Sequence, residues 1–517
     1  MRRSAAPAVV GACALLLASL VAAPAPGPKP APASAGDLHG RRIRWGECPE
    51  QPVPARMRCG TVDVPLDHAA PAKGTVAVAL ARIPATDRAR RLGSLLLNLG
   101  GPGSPGIASL AAGHAGILAR LGERYDLIAF DPRGVGHSEP VSCGGSQQTG
   151  EEAAADTAGL LAALRAVAGR CALASGPVLP YMGTVNVSRD MDVVRRALGD
   201  QKLNFLGFSY GSRLGAVYAA QFPRSTGRMV LDGVGTLTQP LAARALVAAR
   251  AQQRALDGFL AWCATQRDCV HGTDPRTAEE KVAALVARLD AQPLLRPDGS
   301  YGTGQDAVAA IAAAVDARSR WPALARALSR AERGGDPAAL LQLGGPTGPT
   351  GPTDPRDEAG PDAAAAPVPA DNGAAARVAV NCADDPDRSG DRATAAGVER
   401  ELADLEGEFR SASEIFGPPQ LSAVLSCHGR PAGTDFIRRI RHPGAARMLL
   451  VAARGDPASP YAWTRDTAER LGSAVVVDHG GDGHTGYPAS PCVREYVDRF
   501  LLDGRLPPAT RSCPAGE

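Results

Sequence analysis

Lysine is nearly missing from this chain. In 517 residues it occurs only as Lys29, Lys73, Lys202 and Lys281, so arginine carries almost all the positive charge. Neither sign dominates: 56 basic against 53 acidic side chains leave a net charge of +3, which excludes a global basic field for nucleic acid or an anionic membrane. Aromatic residues amount to 4%. No Cys-x-x-Cys occurs, and His428 directly after Cys427 has no zinc-site spacing, so the common zinc frameworks are excluded. Beyond the N-terminus no apolar run reads as long enough to span a bilayer. What is present is 44% hydrophobic and 21% charged residues, ordinary for a globular protein, with 59 Gly and 44 Pro. Whole-chain disorder, collagen and a coiled coil are thereby excluded. The length allows one large domain with an insertion, or two or three smaller ones.

Arg2 and Arg3 precede an apolar run from Ala5 to Ala23, and a Pro/Ala-rich stretch continues to Ala35. A basic start, a short apolar core and small residues before a cut describe a secretory signal over residues 1–35, with Ala23 and Ala35 as alternative ends. Cys13 is not a lipidation site, because the apolar run continues well past it. Removing Cys13 leaves ten cysteines, an even number, for which export makes disulfides the expected state. Proximity in sequence pairs Cys48 with Cys59, Cys143 with Cys171, Cys263 with Cys269, Cys382 with Cys427, and Cys492 with Cys513.

Short runs rich in Leu, Val and Ile recur at Thr75–Ile83, Ser94–Leu99, Tyr125–Phe130, Leu203–Gly207, Arg228–Leu231, Met448–Ala452 and Ala474–Val477. Runs apolar throughout suit a parallel sheet buried on both faces. Helical patterns between them, at Met191–Leu198, Ser212–Gln221 and Trp463–Leu471, predict an open α/β sheet with its ligands at the strands' carboxyl ends. From about Thr236 to Arg441 the strand signal vanishes. That Ala-rich segment predicts helices at Leu241–Ala261, Glu279–Asp290 and Asp306–Ala317, and a flexible loop at 344–373 with three Gly-Pro-Thr triplets. The chain thus divides into a core over 36–235, a helical cap over 236–440 and a second part of the core over 441–517.

Gly207-Phe208-Ser209-Tyr210-Gly211 matches Gly-x-Ser-x-Gly. Chance alone would supply about 0.3 such matches in this composition, so the pentapeptide means little without context. Here a strand precedes it and a helix comes after, the sharp turn that lifts a serine hydroxyl out of the sheet. A serine nucleophile needs a base, and the base needs an acid to orient it. Asp456 lies just past the Met448–Ala452 strand, and His484 in the Gly-rich loop after the next one; Asp232 and His479 compete for the same roles. The oxyanion requires two backbone amides. Tyr210 supplies one, and Gly101, in the Gly100-Gly101-Pro102-Gly103 turn after the Ser94–Leu99 strand, the other.

Gly-Gly-Pro-Gly at 100–103, Asp131-Pro132-Arg133-Gly134-Val135-Gly136-His137-Ser138, the Ser209 pentapeptide, Asp456-Pro457-Ala458-Ser459-Pro460 and Gly483-His484 together resemble the tripeptidyl aminopeptidase and proline iminopeptidase group of α/β-hydrolases. The match covers about Trp45 to Cys492 and is loose in the cap. It implies the α/β-hydrolase fold, a mostly parallel central sheet flanked by helices with an inserted, mainly helical cap. It also implies a secreted serine peptidase that cuts from a free N-terminus, with Ser209, Asp456 and His484 as its triad. The Asp131–Ser138 loop has a structural look. No metal or organic cofactor is implied, and the expected partner is a peptide, without nucleic acid or stable membrane association once the signal is removed. A free amine calls for a carboxylate near the acyl pocket, since a buried ammonium without a counter-charge is costly. Asp384 and Asp385, beside Cys382, are the candidates in the cap. An extracellular carboxylesterase or lipase with the same triad, and a catalytically silent binding protein, are the competing readings.

Overall fold

The computed structural model describes residues 43–49, 52–145, 156–266, 269, 274–296, 301–333, 335–344, 367–385, 395–430, 437, 440, 444–472, 474–508 and 510–515. The signal segment and most of the 344–373 loop lie outside the described residues.

Nine strands form one sheet. Their spatial order is β1 (Arg58–Pro65), β2 (Thr75–Ile83), β4 (Tyr125–Phe130), β3 (Gly93–Asn98), β5 (Leu203–Phe208), β6 (Thr226–Asp232), β9 (Met448–Gly455), β10 (Ala474–Asp482) and β11 (Arg511–Cys513). β2 alone runs against the direction of the other eight strands. The alternation of side chains explains why the central runs are apolar throughout. Leu95 and Leu97 of β3 join one buried cluster and Leu96 the other, and none of the three is exposed. In β9, Leu449 and Val451 share the cluster of Leu95, whereas Met448, Leu450 and Ala452 share that of Leu96. Burying such a leucine contributes about 1.5–3 kcal/mol, and truncating it to alanine costs about 2–5 kcal/mol.

Helices α1 (Thr157–Ser175), α2 (Thr184–Ala197) and α3 (Tyr210–Gln221) lie between β4 and β6 in the chain. Continued to Tyr181 by a 3₁₀ turn, α1 is long and apolar enough, by length and composition, to cross a membrane. That corrects the expectation that no such run lies beyond the N-terminus. Arg165 and Arg170 break the run to the eye but leave its average apolar. In the structure Leu164, Val167, Ala168 and Cys171 are buried, and Cys171 is bonded to Cys143. The other disulfides are Cys48–Cys59, Cys263–Cys269, Cys382–Cys427 and Cys492–Cys513.

Between β6 and β9 come α4 (Leu241–Ala264), α5 (Pro275–Ala291), α6 (Gly304–Val315), α7 (Trp321–Arg333), α8 (Asn372–Ala383), α9 (Ala395–Ala412) and α10 (Gly417–Leu425). The strand signal does not vanish completely there, since β7 (Leu294–Leu295) and β8 (Tyr301–Gly302) form a separate ladder. Nor does the segment pack as one body. Leu256, Phe259, Ile311, Trp321 and Leu328 build an apolar cluster of their own, whereas Ala375, Ala376, Ala379 and Val380 of α8 belong to the core of the main sheet. Asn372 explains the attachment. Its amide donates to the carbonyls of Gly134 and Val141, and its oxygen accepts the Gly136 amide.

The loop that receives Asn372 is held from within. Arg133 has no exposed surface; it makes a bidentate pair with Asp190 and donates to the carbonyls of Pro65 and Leu66. The Asp131 carboxylate accepts the amides of Ile107 and His137. Two helices complete the chain, α11 (Tyr461–Leu471) between β9 and β10 and α12 (Pro491–Asp503) before β11.

Candidate active site

Five consecutive strands of the sheet, β3, β5, β6, β9 and β10, carry at or just beyond their carboxyl ends the loops that hold the candidate residues. Parallel strands present those ends along one edge, so residues 98 to 484 in sequence meet at one place.

Ser209 sits between β5 and α3 with φ +53°, a left-handed conformation rare for a side chain other than glycine. Its neighbours show why the turn needs glycines. A Cβ on Gly207 would lie 2.4 Å from the Gly211 carbonyl oxygen, and one on Gly211 would lie 2.6 Å from that of Asn98. The Ser209 amide donates to the Asp232 carbonyl (2.8 Å), and its own carbonyl accepts the Ser212 hydroxyl (2.5 Å). The Tyr210 amide opens α3 and has no partner within the helix. Across the cleft, the Gly100 amide is taken by the Asn98 side chain, and a Cβ on Gly100 would touch the Ser209 Cβ at 3.5 Å. Gly101 is next in the turn, at φ +112°.

His484 Nδ1 lies 2.9 and 3.0 Å from the two oxygens of Asp456, to which it donates its proton. Asp456 is buried, and its oxygens also accept the amides of Ala458 and Ser459 and the Ser459 hydroxyl. Burial alone would raise the Asp456 carboxyl, but the charge and hydrogen bond of His484, with the Ser459 bonds, hold it below its ordinary value. Burial likewise opposes the His484 imidazolium. The Asp456 charge and hydrogen bond, then the charges of Asp316 and Asp232, outweigh it and bring His484 to about 9.

Asp232 does not contact the imidazole through a hydrogen bond. Its carboxylate accepts the amides of Gly486 (2.8 Å) and Tyr487 (2.7 Å), and so anchors the loop that carries His484. Burial pushes its carboxyl up to about 6 against those two bonds. Gly233 packs under the ring, where an added Cβ would be 3.1 Å from His484 Cε1. His479 lies inside β10, which runs on to Asp482, and there it is opposite Ala453 and Cys513.

The Asp384 carboxylate is engaged within the protein. Its oxygens hold the Thr184 amide and hydroxyl and pair with Arg213 of α3 (3.3 Å), while the same Thr184 hydroxyl meets the Tyr210 phenol. Asp385 beside it is buried. Sequence reasoning missed the anchoring role of Asp232, and it missed Ser459 and Asp316. Ser459 stands three residues after Asp456, a spacing that closes a turn on a carboxylate. Nothing around Asp316 marks it in sequence. A cavity of about 510 Å³ opens beside the Asp456 loop, between Arg254 and Gly258 of α4, Trp321 and Tyr461.

Residues 93–343 match the model of the alpha/beta hydrolase fold family, and residues 413–513 that of the TAP-like proteins. Serine protease Hip1 of Mycobacterium tuberculosis is 30% identical over 505 residues, covering 92% of this chain and 91% of that protein. Tripeptidyl aminopeptidase of Streptomyces lividans is 31% identical over 498 residues, covering 91% and 86%. Carboxylesterase B of Mycobacterium tuberculosis is 30% identical over 523 residues, covering 96% of each. With two of these relatives named as peptidases, and with a serine elbow and a His–Asp pair on adjoining strand ends, the chain belongs to the α/β-hydrolase family of serine peptidases that includes the tripeptidyl aminopeptidases.

Proposed function

We propose that the protein is an exported serine exopeptidase that removes short peptides from a free N-terminus. One observation carries the mechanism: His484 Nδ1 donates to the Asp456 carboxylate at the same sheet edge at which Ser209 is turned out of its strand at φ +53°. Ser209 Oγ attacks the scissile carbonyl while its proton passes to His484 Nε2. The amides of Gly101 and Tyr210 receive the developing oxyanion. The C–N bond then breaks, His484 returns the proton to the leaving amine, and water repeats the sequence on the acyl-enzyme to release the peptide acid. Asp456 keeps the imidazole in the tautomer that accepts at Nε2. Five disulfides support export, because such bonds persist in oxidising compartments.

The free-amine preference rests on the likeness to the tripeptidyl aminopeptidase of Streptomyces lividans. Its counter-charge comes from the segment between β6 and β9, where Asp385, buried beside Asp384, is the residue to replace first. Esterase activity is the second reading, favoured by the relative named Carboxylesterase B. A chromogenic tripeptide amide with a free amine separates the two. Its cleavage by the wild type should be lost in Ser209→Ala, and acetylating the amine should lower kcat/KM by at least about 10²-fold, through lost charge pairing. Equal cleavage of the acetylated peptide, or turnover of simple acyl esters alone, sinks the exopeptidase reading.

A further inference from the structure

The turn between α6 and α7 reaches the His484 loop at three points. The Asp316 carbonyl accepts the His484 amide at 2.7 Å. Gly483, at φ +109°, lets the two backbones approach so closely that a Cβ there would lie 2.8 Å from the same carbonyl oxygen. Arg318 pairs with Asp482 at 3.2 Å on the exposed side of the junction. The main-chain contact carries the Asp316 side chain into the surroundings of the imidazole. Among the described residues this carboxylate has no hydrogen bond and no ion pair at bonding distance, unlike Asp456 and Asp232, whose oxygens are all engaged.

We propose that Asp316 is a positioning residue for His484: its carbonyl holds the base loop in register, and its carboxylate adds a charge to the field that favours the imidazolium. The inference rests on His484 being the base. The charged groups facing His484 are Asp456 from the loop after β9, Asp232 from the end of β6 and Asp316 from the insertion. Those facing Asp316 are His484, Asp456 and Arg320. Burial raises the Asp316 carboxyl to about 6, so it is ionised in the range where His484 titrates. One of the three negative charges around the base therefore belongs to the inserted helices and not to the sheet. Wherever that turn docks on the His484 loop, it sets the basicity of the ring as well as its place.

The test is the pH dependence of covalent labelling by a fluorophosphonate, which requires the nucleophile and its base but no particular peptide. Asp316→Asn keeps the carbonyl contact and removes the charge. Its acid limb should move to lower pH by about 0.3 unit or more, read as the displaced midpoint of labelling rate against pH. Its plateau should fall, as a weaker base implies. Arg318→Ala loosens the exposed side of the junction and should keep the wild-type limb. If Asp316→Asn does not fold, Asp316→Ser supplies a second neutral side chain for the same measurement. A neutral variant whose limb coincides with the wild type, or an equal displacement in Arg318→Ala, overturns the role of Asp316. Labelling of Ser209→Ala at the wild-type rate is a different failure, because it removes the triad reading itself.

Discussion

The two halves of the site are held by different forces. The serine side is fixed by steric exclusion: a positive φ at Ser209, glycines at 207 and 211 that leave no room for a Cβ, and backbone hydrogen bonds to the end of β6. The histidine side is fixed by carboxylates. Asp456 orients the ring and Asp232 grips the loop through two amides, while the Asp316 backbone carbonyl accepts the His484 amide from the insertion. Steric support does not change with pH, whereas carboxylate support does. The halves should therefore respond differently to protons and to substitutions.

The largest effect is expected from breaking the histidine side at its centre. Asp456→Asn should lower kcat/KM by about 10³–10⁴-fold with the fold retained, because the amide favours the wrong imidazole tautomer. Circular dichroism and peptide turnover check both parts, and a loss of less than tenfold would return Asp232 to contention as the acid. Asp232→Asn comes next. It keeps the volume but can accept only one of the two loop amides well, and a displaced ring should cost about 10²-fold in kcat. If kcat is unchanged while Tm falls, the carboxylate supports the fold and not the position of His484.

The pH profile sharpens the contrast further. A base must be neutral, and His484 is raised to about 9, so kcat/KM should rise with pH about tenfold per unit until it levels near that value. The sign for stability is opposite. A histidine whose folded value is raised contributes most below its ordinary 6.5, and that contribution is lost as pH climbs through about 9. Gly211→Ala acts on the other half. The 2.6 Å approach to Asn98 should destabilise the protein by about 1–3 kcal/mol, while the limb of the remaining activity stays at the wild-type pH. A limb that moved would show that the two halves are not independently supported.

The parts of the fold and the site that could be read in sequence share a local cause. Runs such as Leu95–Leu97 are apolar because both faces of one short strand are buried, and the elbow glycines are required by atoms within four residues or on the neighbouring strand. β1 escaped notice because it is an edge strand with Arg58 and Thr61 exposed. Asp316 escaped because its partner is 168 positions away and the contact is made by its backbone, which any residue possesses. The surroundings of Asp384 were hidden for the same reason: two adjacent acids beside a disulfide read as candidates for a substrate amine, and the pairing of Asp384 with Arg213 spans 171 positions.

Asn372 has a consequence for how this chain could change over generations. Its three bonds to the 134–141 loop, with Asp371 accepting from Ser142 and Cys143, fix the point at which α8 begins. A fixed starting point uncouples the helix after it from the residues before it. Substitutions before Asp371 that spare these bonds keep α8 in the same seat, and with it the Asp384–Arg213 pair at its far end.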